Sequence, residues 1–290
     1  MKSVYALCIN DNLYDAMERL IAYLDLPNKL RKICIKLNLC EYRHRETGAT
    51  SDPQVVEVLL KTLRQRYASS EIYLVENDAT GVSADNIFEF LKVDKLAAKY
   101  DCRAANVARL NWIEKTIKGL HFEKIDIPEL LEECDLFITH PKLKTHGGTK
   151  MSCGLKNQFG LLRQKRKIEY HSFLDEAIVD ANLGMRPQLS IVDANICMEG
   201  NGGPVFGLPR KLGLLIGGAD TVAVDSFCAK LIGFDPYFIG HIRKAARRQI
   251  GQMSYHLVAD FDHGDYKKYR LRFSHTLFYL LKFVRRELQR

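Results

Sequence analysis

The sequence predicts an α/β protein: a mainly parallel sheet flanked by helices, followed by a basic helical C-terminal extension. Three observations carry that expectation. Short apolar runs alternate with helix-period segments along the chain. The strand-like runs are apolar on both faces, as strands covered by helices on both sides must be. Polar clusters recur directly after those runs, at the strand ends where open parallel sheets place their ligands.

Residues 4–9 read as a strand and residues 14–24 as a helix. Residues 32–39 form a β-branched apolar run. Asp52 and Pro53 then open a helix over 54–66, with a capping side chain followed by a proline in the first turn. Residues 71–76 are the next strand and 84–92 a helical stretch. Short strands are expected at 104–110 and 120–125, a helix at 128–134 and a strand at 135–139. A glycine-rich loop follows over 139–160. The remaining expected elements are a helix at 172–183, strands at 188–192 and 211–217, and a helix at 221–232. This divides the chain into an α/β body over 1–235, holding a ligand crevice, and a basic extension over 236–290 packed on that body.

The chain has 290 residues, 47% hydrophobic and 27% charged, enough for one large core or two smaller ones. Residues 241–290 hold 12 Lys and Arg against 4 Asp and Glu, whereas the first 240 hold 31 of each. The basic surplus therefore belongs to the extension. There Leu277, Leu280, Leu281, Val284 and Leu288 share one helical face, away from Lys282, Arg285, Arg286 and Arg290. Such a helix, over 270–290, suits docking on the body, a second copy of the chain or an anionic membrane surface. No recognised module frames its basic residues for nucleic acid.

The eight cysteines are scattered without C-x-x-C spacing, and several sit inside apolar runs. That pattern fits reduced core thiols in the cytoplasm and speaks against a disulfide framework or a zinc ribbon. The apolar stretch at 4–9 is shorter than a secretory segment, and no run approaches the roughly 18 apolar residues of a membrane span.

The run THPKLKTHGGTKMSCGLKNQFG at 139–160 gathers four lysines, two histidines and an asparagine among glycines, just past a buried strand. Cationic and amide groups on open backbone suit an anion. Lys144, His146, Lys156 and His171 are the candidate catalytic residues. Asn38, Asp52, Glu76, Lys142, Asn157, Asp193, Glu199, Asn201, Asp220 and Asp225 are the candidate ligand-binding residues, because most follow the other strand runs and would converge on one crevice. Asp52 and Asp220 also stand where helix caps stand.

Familiar motifs fit poorly. A P-loop reading of 148–157 has five residues between its glycines and Asn157 in place of the magnesium-binding hydroxyl. The glycines at 200–203 run into Pro204 where a dinucleotide-binding helix would continue. No G-x-S-x-G elbow supports a serine hydrolase. His140, His146 and His171 lack helix spacing, so a metal is not favoured. Cys153 beside His146 is a candidate nucleophile.

IKLNLC (35–40), TSDPQVV (50–56), HPKLKTHGGTKMSCGLKNQFG (140–160), the later His171, SIVDANICMEGNGGP (190–204) and GGADTVAVDSFCAKLIG (217–233) occur in this order. Together they resemble the prokaryotic family called domain of unknown function 362. The resemblance implies Lys144, His146, Lys156, Asn157 and His171 as site residues, without assigning roles. Many relatives carry ferredoxin-like iron–sulfur segments, which implies redox chemistry. This chain lacks their clustered cysteines, so no intrinsic cluster is expected. The reading that follows is an enzyme on a small carboxylate or phosphate metabolite, performing proton transfer or a redox step with an external electron donor. The alternative is a non-catalytic accessory protein that delivers a cofactor or engages a partner or membrane through its basic tail.

Overall fold

The computed structural model describes residues 1–10, 12–164, 166–202, 205–261 and 266–272. Residues 273–290, with most of the expected basic helix, lie outside the described residues. The chain opens with β1 (Lys2–Cys8), α1 (Leu13–Tyr23), β2 (Lys32–Lys36), α2 (Pro53–Arg66), β3 (Glu71–Glu76), α3 (Ala84–Phe90), α4 (Val93–Lys99) and β4 (Arg103–Asn106). A separate ribbon of β5 (Trp112–Thr116) and β6 (Lys124–Pro128) leads to α5 (Glu129–Glu132) and β7 (Leu136–Thr139). Next come β8 (Lys142–His146), β9 (Lys150–Ser152), α6 (Gly154–Phe159) and α7 (Leu174–Gly184). The rest is β10 (Leu189–Gly202), β11 (Phe206–Gly218), α8 (Thr221–Leu231), α9 (Gly240–Arg247) and β12 (Tyr255–Ala259).

The main sheet runs β12-β1-β11-β10-β7-β2-β3-β4, with β8 and β9 attached beside β10. Strands β10, β7, β2, β3 and β4 are parallel along this path. Period-2 alternation divides their apolar side chains between two cores. Ile33, Ile35, Ile72, Leu74, Leu136 and Ile138 pack toward α1, α2 and α3. Cys34, Val75, Phe137, Val192 and Ile216 pack toward α6, α7 and α8. Both faces are thus covered, which is why the strands read as continuous apolar runs.

The C-terminal ends of β2, β3, β7 and β10 lie on one edge of the sheet, as expected. The end of β11 does not. It pairs antiparallel with β10, from Ser190 opposite Gly218 to Gly202 opposite Phe206. Two successive long strands joined by so short a turn can only run antiparallel. Asp220 therefore stands at the opposite edge. It caps α8 there, accepting the Val222 and Ala223 N–H groups at 2.9 and 3.1 Å and the Gln252 N–H at 3.0 Å.

Among the described residues beyond 235, Ile239, Ile242, Ala245, Ile250, Tyr269 and Leu271 join the same core. Helix α9 buries His241, Ile242 and Ala245, and β12 extends the sheet parallel to β1. The loop from β2 to α2 is clamped against β10 at Gly48, whose φ is +67°. A Cβ there would meet the Cys197 carbonyl oxygen at 2.2 Å. Gly48→Ala should therefore cost about 2 kcal/mol of stability, from strained backbone and overpacking together. Chemical denaturation checks this, and an unchanged midpoint would mean that the loop is not held to β10.

Candidate functional site

The shared sheet edge is lined by buried polar groups, most of them mutually satisfied. At the end of β2, Lys36 Nζ reaches Glu76 Oε1 at 2.6 Å. The other Glu76 oxygen accepts the Leu39 N–H at 2.8 Å. Asn157 Nδ2 donates to the Lys36 carbonyl at 3.1 Å and to Thr139 Oγ1 at 3.0 Å, while its oxygen accepts from Asn38 Nδ2 at 3.2 Å. Lys142 Nζ and Asp193 Oδ2 form a fully buried ion pair at 2.7 Å. Asp193 also accepts the Asp52 and Asn195 N–H groups at 3.0 and 3.1 Å, and Asp52 caps α2 at Gln54. A buried charge is costly unless it is paired in this way. Lys142, Glu76, Asn157 and Asp193 thus serve first to build the edge.

Past this layer the 139–160 segment, expected as an open loop, forms the β8–β9 hairpin and α6. Thr145 pairs with Met151, and His146 with Lys150, across a turn at 147–149. Lysines on a buried strand conceal it from hydropathy patterning, which registers them as loop. Alternation along β8 puts Lys142, Lys144 and His146 on one face. Helix α6 is fixed by Asp225, whose carboxylate accepts the Gly154 and Leu155 N–H groups at 2.8 and 2.9 Å. Burial pushes Asp225 up to about 6, although these N–H groups and His241 oppose the shift. Gly154 has no room for a Cβ, which would meet Thr221 Cγ2 at 2.7 Å.

Lys144 and Lys156 differ from the paired lysines. Lys144 is buried, and its Nζ donates to the Ala49 carbonyl at 2.6 Å and contacts Cys40 Sγ at 3.4 Å. Lys156 is half-buried, with its Nζ 5.4 Å from the centre of the Phe159 ring. Among the described residues, neither lysine has a carboxylate within ion-pair distance. Burial first, then the Lys144 charge, lowers Lys156 to about 8. Burial first, then Lys156, Lys144, His241 and His171, drives His146 down to about 2. The His146 ring is therefore neutral near pH 7. Its Nδ1 accepts the Gly148 N–H at 3.1 Å, leaving the proton on Nε2.

Of the predicted catalytic residues, Lys144, Lys156 and His171 thus each lie within electrostatic reach of His146. His171 is exposed at the margin. Lys142, Asn38, Asp52, Glu76, Asn157 and Asp193 form the layer beneath, and Asp225 anchors α6. Glu199 lies farther along the β10–β11 hairpin, where it accepts the Arg272 N–H at 3.1 Å. Asn201 falls in β10, with its side chain outside the described residues. Cys153 is fully buried, and burial raises its thiol well above the ordinary range, so it is no ready nucleophile.

Sequence reading passed over four contributors: Lys36, Cys40, Lys167 and His241. Burial lowers Lys167 to about 7, with Glu76 and Lys36 nearby. His241 is fully buried 3.4 Å from Asp175. Burial works against the Asp175 carboxylate, but His241 and Lys244 hold it below its ordinary value. A surface depression of about 560 Å³ near Tyr73, Arg103 and Glu129 includes none of these cationic residues.

The family described as Domain of unknown function (DUF362) matches residues 33–230, a stretch that holds every residue of this edge from Lys36 to Asp225. The chain belongs to this family. A thylakoid-associated protein of Synechocystis sp. is 32% identical to this DUF362 chain over 137 residues, 45% of this chain and 42% of that one. The match thus spans less than half the length of the curated relative. Two solved structures are also similar. One, a protein from Thermotoga maritima, has a TM-score of 0.42 and 15% identity, covering 75% of this chain and 57% of its own. The other, the lactate racemase apoprotein of Thermoanaerobacterium thermosaccharolyticum, has a TM-score of 0.44 and 11% identity, covering 79% and 57%. Neither likeness carries an argument about the site. Among the described residues of the DUF362 chain, no helix is long and apolar enough to cross a membrane.

Proposed function

We propose that this chain is an enzyme that binds a small carboxylate or phosphate metabolite between Lys144 and Lys156 and transfers a proton there. One observation carries the reading. In a layer where Lys36 and Lys142 are each matched by a buried carboxylate, Lys144 and Lys156 have none among the described residues. An anionic ligand would supply the missing charge.

The roles follow from the electrostatics. Lys144, fixed by the Ala49 carbonyl, is a stationary positive charge. Lys156, lowered to about 8, exchanges a proton close to neutral pH, as a general acid or base must. His146, driven down to about 2, acts as a neutral hydrogen-bond donor through Nε2. An oxyanion that grows during proton transfer next to a carbonyl would be held by that N–H and by the Lys144 ammonium. Reduced buried cysteines fit a cytoplasmic setting for this chemistry.

Thermal melts test the reading. Phosphate or a dicarboxylate should raise the melting temperature of the wild-type protein by mass action. His146→Leu, which removes a donor and no charge, should weaken the anion by about 1 kcal/mol. No response of the wild type to any small anion would sink the proposal.

A further inference from the structure

The eight cysteines sit in distinct surroundings. Cys34, Cys102, Cys153, Cys197 and Cys228 are buried, whereas Cys8, Cys40 and Cys134 are partly open. Burial and the neighbouring Asp260 carboxylate raise the Cys8 thiol above its ordinary range. The Cys134 thiol donates to the Leu131 carbonyl at 3.2 Å. A hydrogen bond with Cys34 lowers the Cys134 thiol, against its burial. Cys40 has an ammonium in direct contact, with its Sγ 3.4 Å from Lys144 Nζ and Lys156 within electrostatic reach. A thiol attacks as its anion, and an adjacent ammonium stabilises that anion.

A second observation points to a ligand at the same place. His146 is only 8% exposed. Its Nδ1 is taken by the Gly148 N–H, while its Nε2 has no protein partner among the described residues. The same two lysines act on this ring. A free donor within electrostatic reach of two cations that lack a carboxylate leaves a place for an acceptor near those cations.

We propose that Cys40 is a nucleophile of the anion site and takes a small carboxylate or phosphate compound carrying an electrophilic carbon. The inference rests on the anion reading above. The Cys40 thiol gives its proton to water, leaving the thiolate beside the Lys144 ammonium, and Sγ then forms a bond to that carbon. The bond from the carbon to its leaving group breaks, and the leaving group departs with the electron pair. No oxidant or reductant is involved.

Iodoacetate, an anion with an electrophilic carbon, is the probe, and iodoacetamide is its neutral counterpart. Peptide mass spectrometry should show iodoacetate labelling Cys40 at least about tenfold faster than Cys8 or Cys134, the scale of one charge-assisted contact. Iodoacetamide should discriminate less. Inorganic phosphate should slow the iodoacetate reaction, Lys156→Met should abolish the preference for the charged reagent, and Cys40→Ser should remove the label. Equal rates at the three open cysteines overturn the inference, and so does a Cys40 rate indifferent to phosphate and reagent charge. Either can occur while phosphate still raises the wild-type melting temperature, which would leave the anion reading standing. No phosphate effect on melting, with Cys40 labelled equally by both reagents, overturns the anion reading and this inference with it.

Discussion

Lys142→Met should destabilise the protein by about 3–5 kcal/mol, because it leaves the Asp193 carboxylate buried without its counter-charge. Both side chains of the 2.7 Å pair are fully inaccessible, so water cannot replace the lost ammonium. The carboxylate also organises its surroundings through the Asp52 and Asn195 N–H groups, which join the α2 cap to β10. Adding Asp193→Asn removes the orphaned charge while keeping an acceptor for those donors, so the double variant should recover part of the loss. Urea unfolding of the two single variants and the double checks this. A loss below about 1 kcal/mol for Lys142→Met would place the pair in contact with solvent, where ion pairs contribute little.

Lys156→Met should do the opposite: leave stability unchanged or raise it near pH 7, and weaken a bound anion by about 1.5–3 kcal/mol, the worth of a charge-assisted hydrogen bond. The pH dependence separates this from a scaffold role. Lys156 is held near 8 in the folded chain, below the ordinary 10.5 of the unfolded one. Below pH 8 both states carry the proton, and the cost of the confined charge is fully present. Between about 8 and 10.5 the unfolded state keeps the proton and the folded state does not. This group's contribution to stability therefore rises with pH across that window. Anion affinity runs the other way, because the protonated amine is the binding form, and should fall by up to about tenfold per pH unit above 8. Lys156→Met should flatten both slopes. Large destabilisation with the anion response intact would make Lys156 scaffold.

Much of the body was legible in the sequence because both faces of its sheet are buried. The run at 71–76 coincides with β3 (Glu71–Glu76), and the Asp52-Pro53 start marks α2 (Pro53–Arg66). Hydropathy finds such elements since burial is the cause of their composition. It missed β8 because three of its five residues are Lys or His, buried through Asp193, the Ala49 carbonyl and a neutral ring. It misplaced the end of β11 because the pattern of one strand does not reveal whether its neighbour runs parallel. It missed β12, whose Tyr255–Ala259 sequence is only partly buried at the sheet edge.

The candidate site was legible as a set of residues more than as a set of roles. The structure brings Lys144 and Lys156 within electrostatic reach of His146, and the lysine that pairs with a carboxylate is Lys142. That distinction depends on Asp193, about fifty residues away in sequence, and no local spacing encodes it. Cys40 was not singled out because no cation stands within two residues of it in sequence. Its cation arrives from β8.

On the proposed function, Lys144 and Lys156 form an anion site closed by the ligand's own charge. Isothermal titration of succinate, a dianion at both pH 7 and pH 9, tests it most directly at low ionic strength. The structure predicts saturable one-to-one binding at pH 7 that weakens by about tenfold at pH 9, following loss of the Lys156 proton. Absence of saturable binding at both pH values, or equal affinity at the two, would contradict it.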